Sequence, residues 1–247
     1  MEIYATMNRK GGVSKTTTSL AMLDGLHRLG KRAVLIDCDP QCSASLITGC
    51  VNENGKSISD ALIGLDIHKC IVKCAYGDIV PASKKLEALE LQMQGRQLTV
   101  LRDVLDDLRK EYDYCIIDCP PNLPRLPIAA AVAADKVIVP VIADMLSLHG
   151  LERMVTDVDA ARVYNKSVRI AGILLTMFDV RPLVTRKMRE VAEQVAAEMG
   201  TKVFQTVIRR GKDIPEAYLF NEGPISYNPQ SNPAKDYTAF IEELLNE

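Results

Sequence analysis

Short, continuously apolar runs alternate with stretches of helical periodicity along the whole of this 247-residue chain. EIYATM (2–7), KRAVLID (31–37), YDYCIID (112–118), DKVIVPVI (135–142) and VRIAGILLTMF (168–178) are of strand length and show little polar alternation. Runs of that kind belong to strands buried on both faces, as in parallel sheets. Helical patterns lie between them. Residues 15–29 read as a helix stopped by Gly30, and Leu98, Leu101, Val104, Leu105 and Leu108 share one stripe. Val184, Met188, Val191, Val195 and Met199 mark a long helix, and Tyr237, Phe240, Ile241, Leu244 and Leu245 mark a last one. The alternation predicts an α/β fold, a doubly wound, mostly parallel sheet with helices on both faces. No repeat, low-complexity segment or linker interrupts it, so residues 1–247 read as one domain.

Composition narrows the class. Hydrophobic residues make up 47% and charged residues 25%, as in a soluble globular protein. No apolar run reaches the roughly 18 residues of a membrane span. The start, MEIYATMNRK, lacks a charged leader with an apolar core, which points to a cytoplasmic chain. Six of the seven cysteines fall in C-x-x-x-C pairs: Cys38/Cys42, Cys70/Cys74 and Cys115/Cys119. The last pair frames a strand, and four strand residues span about 13 Å, too far to share one ion. Reduced, mostly buried thiols are therefore expected. His27, His68 and His149 form no ligand spacing. The net charge of −2 names no partner, but residues 162–213 carry eleven Lys/Arg against five Asp/Glu. That local +6 is either a solvated face or an electrostatic footprint for nucleic acid.

The candidate chemistry begins at NRKGGVSKTTT, residues 8–18. It follows a strand and opens a helix, where backbone N–H groups and the helix dipole converge on an anion. The ordinary phosphate loop, G-x-x-x-x-G-K-[ST], requires glycine where Arg9 and Ser14 stand. The variant K-G-G-x-x-K-[ST] does not. It fits Lys10, Gly11, Gly12, Val13, Ser14, Lys15 and Thr16, with Lys15 as the phosphate lysine and Thr16 as the Mg²⁺ hydroxyl. Asp37 and Asp39 end the second strand in LIDCDPQ, at the edge where open α/β sheets bind ligands. Period-two alternation turns both toward the phosphates. Asp118 ends the apolar run CIIDCPP, in the Walker-B place that holds Mg²⁺ through water.

KGGVSKTT, LIDCDPQ, YCIIDCPP, VIVPVIADMLSLHGL, GILLTMFD and EAY…GPISYNPQSNPAKDY occur in an order that resembles the ParA family of deviant-Walker P-loop ATPases, in its short, Soj-like branch. The resemblance runs nearly the full length. It implies an ATPase using ATP and Mg²⁺ that forms a homodimer around two nucleotides. Lys10 would reach across to the partner's nucleotide, and Lys10, Lys15, Asp37 and Asp39 would carry catalysis. Residues 10–16, Thr17, Thr176, Met177 and the 208–212 loop would contact nucleotide, and Asp39 would sit in the outer shell of the metal. The ATP dimer would bind double-stranded DNA non-specifically at the nucleoid. A ParB-like adaptor would then stimulate hydrolysis, as in plasmid or chromosome segregation. Arg181, Arg186, Lys187 and Arg189 on one helix, with Arg209, Arg210 and Lys212 near the nucleotide, are the candidate DNA contacts. Ser14 departs from the family's usual glycine, and Arg209 stands where proline is common.

Rival readings leave other traces. A MinD-like membrane ATPase would end in an amphipathic helix with a basic polar face, whereas NPAKDYTAFIEELLNE is acidic there. An electron donor of the same superfamily needs cluster cysteines, and an ATP-dependent ligase needs a dedicated substrate pocket. A ParA relative that positions some other cargo would look the same in sequence.

Overall fold

The computed structural model describes residues 1–50, 55–142, 151–178 and 182–246, and leaves aside the side chains of residue 152 and residues 182–186. His149, Asp179 and Arg181 lie outside the described residues, as do the side chains of Val184 and Arg186. The strands form where the apolar runs stood. They are β1 (Glu2–Thr6), β2 (Ala33–Asp37), β3 (Val72–Cys74), β4 (Gly77–Val80), β5 (Tyr114–Asp118), β6 (Lys136–Ile142) and β7 (Arg169–Thr176). They make a sheet of order β3-β4-β2-β5-β1-β6-β7. All neighbours are parallel except β3 and β4, a hairpin that adds one antiparallel edge. Every residue of β2 is buried, as is all of β5 after Tyr114, which is why their sequences show no alternation.

Among the described residues the α-helices are α1 (Lys15–Arg28), α2 (Ser43–Ile47), α3 (Ile58–Leu62), α4 (Lys85–Gln92), α5 (Val100–Asp106), α6 (Leu126–Ala133), α7 (Glu152–Arg162), α8 (Pro182–Glu198), α9 (Asp213–Leu219) and α10 (Asn232–Leu245). They supply two apolar clusters. One joins Leu101, Leu105, Val132 and Val158 of α5, α6 and α7 to Ile3, Ile36 and Ile117 of the strands. The other joins Leu20 and Leu23 of α1 and Phe240 and Ile241 of α10 to Leu35, Ile116 and Leu174. The last apolar stripe is therefore spent on the core. Tyr237, Phe240, Ile241 and Leu244 are each at most 2% exposed, and Phe240 meets Phe204 edge-on at 5.0 Å. Gly172 permits this packing, since a Cβ there would come within 2.8 Å of the Phe204 ring and 3.1 Å of the Lys202 carbonyl. Cys38, Cys50, Cys70, Cys115 and Cys119 are buried thiols.

Asp24 of α1 is fully buried and accepts hydrogen bonds from the Ile225 and Ser226 amides and the Ser226 hydroxyl. It pins the chain between α9 and α10 onto α1. The outcome is that Thr6, Asp37, Asp118 and Thr176 all end their strands at one edge of the sheet. The register pairs Asp118 with Thr6 on one side and Asp37 on the other. A ligand site at that edge is what a parallel α/β sheet provides.

Candidate active site

The loop from Asn8 to Ser14 closes over this edge and feeds α1. Asn8, which is buried, donates its amide to the Pro140 carbonyl and accepts the Lys10 N–H. The Lys10 carbonyl accepts the Lys15 ammonium at 2.9 Å, so both ends of the Lys10 peptide unit are fixed. Gly12 (φ 73°) and Ser14 (φ 66°) are both left-handed, which aims the loop's amides together. Ser14 adopts this conformation with a Cβ, at a cost of about 1–2 kcal/mol. Strain of this kind concentrates at functional sites. Lys15 is 7% exposed. Burial pushes its ammonium pKa down, while Asp118, Cys119 and Asp39 pull it back up.

Asp118 is the acid with the largest electrostatic effect on Lys15. Its Oδ1 accepts the Ser19 hydroxyl at 2.9 Å and the Thr6 hydroxyl at 3.3 Å. Its Oδ2 is buried and has no hydrogen-bond partner among the described residues. Asp37 behaves otherwise. Its Oδ1 accepts the Asp39 amide, and its Oδ2 accepts the Ser45 amide and hydroxyl at 2.9 and 2.7 Å. The expectation that Asp37 and Asp39 both face the phosphates is corrected for Asp37. Strand β2 ends there, the chain turns through Asp39 to Cys42 (φ 56°), and period two no longer applies. Asp37 props up the turn that carries Asp39, and Asp39 stays close enough to Lys15 and Asp118 to act on both electrostatically.

The Asp37 and Asp118 carboxyls, side by side on paired strands, are both pushed above the usual carboxylate range. For Asp37 the causes are burial and then the Asp118 charge, opposed by hydrogen bonds from Ser45 and the Asp39 amide. For Asp118 burial dominates and Asp39 adds to it, against the Thr16 and Ser19 hydroxyls and the Lys15 ammonium. An acid with a higher pKa folded than unfolded binds its proton more tightly in the native state. Stability therefore falls as pH rises from the ordinary aspartate value of 3.8 toward about 7. Nucleotide-free protein in chelator should melt at a lower temperature at pH 8 than at pH 6 because of this pair. Asp37→Asn should narrow that difference, and an unchanged difference in the variant would count against the pair as its source.

Beside the loop lies a cavity of about 460 Å³ lined by Ser14, Thr17, Met177, Ile208, Arg210, Pro215 and Tyr218, among others. Met177 is left-handed (φ 51°), and the Phe178 amide donates to the Ile208 carbonyl, which sets the 208–210 segment as one wall. A larger groove of about 810 Å³ opens at the opposite edge of the sheet. Its Arg32 pairs with Asp113, and its His68 with Asp66 and Glu111, so these charges are not aimed inward. The loop-side cavity is the one with converging chemistry. Thr176 does not line it. That residue is buried and donates to the Val13 and Val141 carbonyls, which corrects its reading as a nucleotide contact and makes it a brace for the loop.

The basic residues divide. Arg209 makes a two-pronged ion pair with Asp236 of α10, at 2.6 and 2.9 Å, and its amide donates to the same carboxylate. Arg189 donates to the Phe204 and Gln205 carbonyls and pairs with Glu193. Both are corrected from DNA contacts to internal struts. Arg210 and Lys212 lie at the surface, and Lys212 meets Glu216 at a loose 3.5 Å; Lys187 is exposed on α8. The contacts that sequence reasoning missed are Asn8, Thr6, Ser19 and Ser45. Each acts through a fold-dependent hydrogen bond and carries no local pattern.

The profile of the AAA_31 family, an AAA domain, matches residues 1–170. Chromosome partitioning protein ParA of Myxococcus xanthus is 33% identical over 257 residues, covering 98% of this chain and 87% of the relative. Sporulation initiation inhibitor protein Soj of Bacillus subtilis is 34% identical and covers 98% of each chain. The chain belongs to the ParA/MinD-like family of P-loop ATPases. The structure of cobyrinic acid a,c-diamide synthase from Mycobacterium smegmatis with bound ADP and magnesium matches with a TM-score of 0.84 at 28% identity, covering 100% of this chain and 94% of that one. The McdA–ATP complex of Cyanothece (TM-score 0.85, 20% identity, 100% and 96% covered) and MinD of Pyrococcus furiosus (0.79, 22%, 99% and 98%) share the fold. For this ParA/MinD-type ATPase, the sheet and the K-G-G loop stand together at one edge. Among the described residues, no helix is long and apolar enough to cross a membrane.

Proposed function

We propose that this ParA/MinD-type ATPase is an ATP-driven partition switch acting on DNA. In this reading Mg²⁺ATP at residues 10–17 joins two copies, the ATP dimer binds duplex DNA without sequence preference, and a ParB-like adaptor stimulates the hydrolysis that releases it. The observation that carries the ATP half is the convergence of Lys15, Thr16 and the unpartnered Asp118 Oδ2 beside a cavity of about 460 Å³, roomy enough for a purine base. A buried carboxylate oxygen with no donor suits the water shell of a divalent cation, and the Thr16 hydroxyl next to it suits direct ligation. Bound there, Mg²⁺ would neutralise charge on the β- and γ-phosphate oxygens.

The residues of the chain do the rest. Backbone amides of Gly11 to Thr17 cradle the phosphates, and a phosphate oxygen takes the Lys15 ammonium from the Lys10 carbonyl. Met177, Ile208, Pro215 and Tyr218 enclose the base. Asp39 orients the attacking water, its contribution geometric rather than strongly basic. Lys10 supplies charge to the partner's nucleotide. The partition half is supported by near-full-length similarity to proteins named ParA and Soj, by Arg210 on the wall of the cavity, and by Lys212 exposed two residues further on.

A second reading, a positioning ATPase with a different cargo, is favoured by the fold shared with McdA and MinD. A membrane version through α10 finds no exposed apolar face there, since its stripe is buried. Phosphate release and light scattering together test the ATPase reading. Wild type with Mg²⁺ATP should associate and release phosphate, whereas Asp39→Ala should associate and release almost none. An Asp39→Ala chain that stays monomeric in ATP would contradict the assignment. Sedimentation of the ATP form with anionic vesicles would favour the membrane version instead.

A further inference from the structure

Arg9 occupies the first glycine place of an ordinary phosphate loop, and nothing in the ATPase reading uses it. Its guanidinium does not line the nucleotide cavity and is engaged elsewhere. Nε and Nη2 grip the two carboxylate oxygens of Asp157, each at 2.6 Å. Nη1 donates to the Leu123 carbonyl at 2.6 Å, and Nη2 also reaches the Pro124 carbonyl at 3.3 Å. Asp157 lies on α7 and is 6% exposed. Leu123 and Pro124 lie in the turn that leads from Asp118 into α6. One side chain therefore ties three segments together: the phosphate loop, the turn after the metal-side acid, and α7.

Its position in the loop matters as much as its partners. The residue before it, Asn8, is tied to the carboxyl end of β6 through Pro140. The residue after it, Lys10, has its N–H on Asn8 and its carbonyl on Lys15. With Arg9 clamped, residues 8–10 form one rigid unit, so the direction in which Lys10 leaves the backbone is set relative to Asp118. Phosphoryl transfer depends on positioning, and a displacement of about 1 Å can cost on the order of 100-fold in rate.

We propose that Arg9, held by Asp157, is a positioning residue that keeps Lys10 and the turn after Asp118 in register for hydrolysis. The proposal rests on the ATPase reading of residues 8–16. A bidentate Arg–carboxylate pair has defined geometry, and lysine, a point charge with a flexible stem, cannot bridge Asp157 and the Leu123 carbonyl in the same way. A buried ion pair also has an ordinary role in holding the fold, and loss of one partner alone would destabilise the protein. Kinetics and stability, measured on the same variants, separate the two roles.

The experiment measures steady-state hydrolysis of Mg²⁺ATP, affinity for a fluorescent ATP analogue, and melting temperature. It uses the full chain and its Arg9→Gln, Arg9→Lys, Asp157→Asn and Arg9→Gln/Asp157→Asn variants, at temperatures where each is folded. Asp157→Asn preserves volume and guards against a variant that merely fails to fold. Arg9→Gln and Asp157→Asn should each lower kcat by about tenfold or more, with KM and nucleotide affinity within about threefold of wild type. The double variant should be little worse than the worse single one, because both act through one clamp. Arg9→Lys should recover part of kcat. Wild-type kcat in both single variants, a loss confined to KM, or fully additive losses would overturn the proposal. A wild-type chain that releases no phosphate would overturn the ATPase reading and this inference with it, whereas active wild type with unaltered variants overturns the inference alone.

Discussion

Lys10→Ala should still bind Mg²⁺ATP and yet lose nearly all adaptor-stimulated hydrolysis, whereas Lys15→Ala should lose nucleotide binding itself. The two lysines stand five residues apart on one loop, but the structure gives them different surroundings. Lys15 is buried under the loop with its ammonium on a loop carbonyl and the Asp118 and Asp39 charges nearby. Its removal leaves those carboxylates and a bound polyphosphate without their nearest cation. Lys10 is half-buried, with its amide on Asn8 and its carbonyl on the Lys15 ammonium. A cation delivered across a dimer to the transferring phosphoryl group contributes roughly 10³–10⁵ in rate. Equilibrium binding of a fluorescent ATP analogue and stimulated phosphate release separate the two variants. Wild-type stimulated turnover in Lys10→Ala would remove it from the catalytic set, and unchanged affinity in Lys15→Ala would remove the phosphate-lysine role.

Charge reversal at Arg210 and Lys212 should abolish DNA binding by the ATP form while dimerisation persists. Both side chains are exposed, and Arg210 also lines the cavity, so ATP-dependent dimerisation would double the patch they form. Arg209 is the wrong residue to reverse. Arg209→Glu would set a carboxylate against Asp236 and release the 208–210 wall, confusing loss of fold with loss of DNA affinity. Phosphate neutralisation acts through counterion release, so affinity should fall steeply with salt. The slope of log K against log salt should shrink by roughly 0.9 for each phosphate the variant no longer neutralises. Fluorescence anisotropy on one labelled duplex, titrated at several salt concentrations, measures both quantities. Unchanged affinity and slope in Arg210→Glu/Lys212→Glu would take these residues out of the interface.

What could be read from sequence followed how local each signal was. The helix expected at 15–29 is α1 at Lys15–Arg28, because a strand, a glycine pair and Gly30 bracket it within one short stretch. The central strands were equally plain, since burial on both faces demands unbroken apolar runs. The β3–β4 hairpin was not foreseen. Its first strand, Val72–Cys74, is only three residues long and none of them is fully buried, so its alternation is too brief to stand out. At the site, the places of Lys15 at the end of the loop and Asp118 at the end of a strand could be read from the local pattern alone. The role of Asp37 could not, because it depends on Ser45 reaching back after a left-handed turn. Arg209 looked like free charge for a similar reason, as Asp236 lies 27 residues along on α10. Arg9 looked like a failed glycine until α7 supplied Asp157.

If the protein is a partition switch, nucleotide must control its binding to DNA, and base sequence must not. A gel-shift titration of wild-type protein on two unrelated duplexes of equal length, at low salt, with Mg²⁺ATP, Mg²⁺ADP or no nucleotide, measures both at once. Both duplexes should be retarded at the same protein concentration with ATP, and hardly at all with ADP or without nucleotide. No ATP-dependent shift of either duplex, or a shift of only one, would refute the switch.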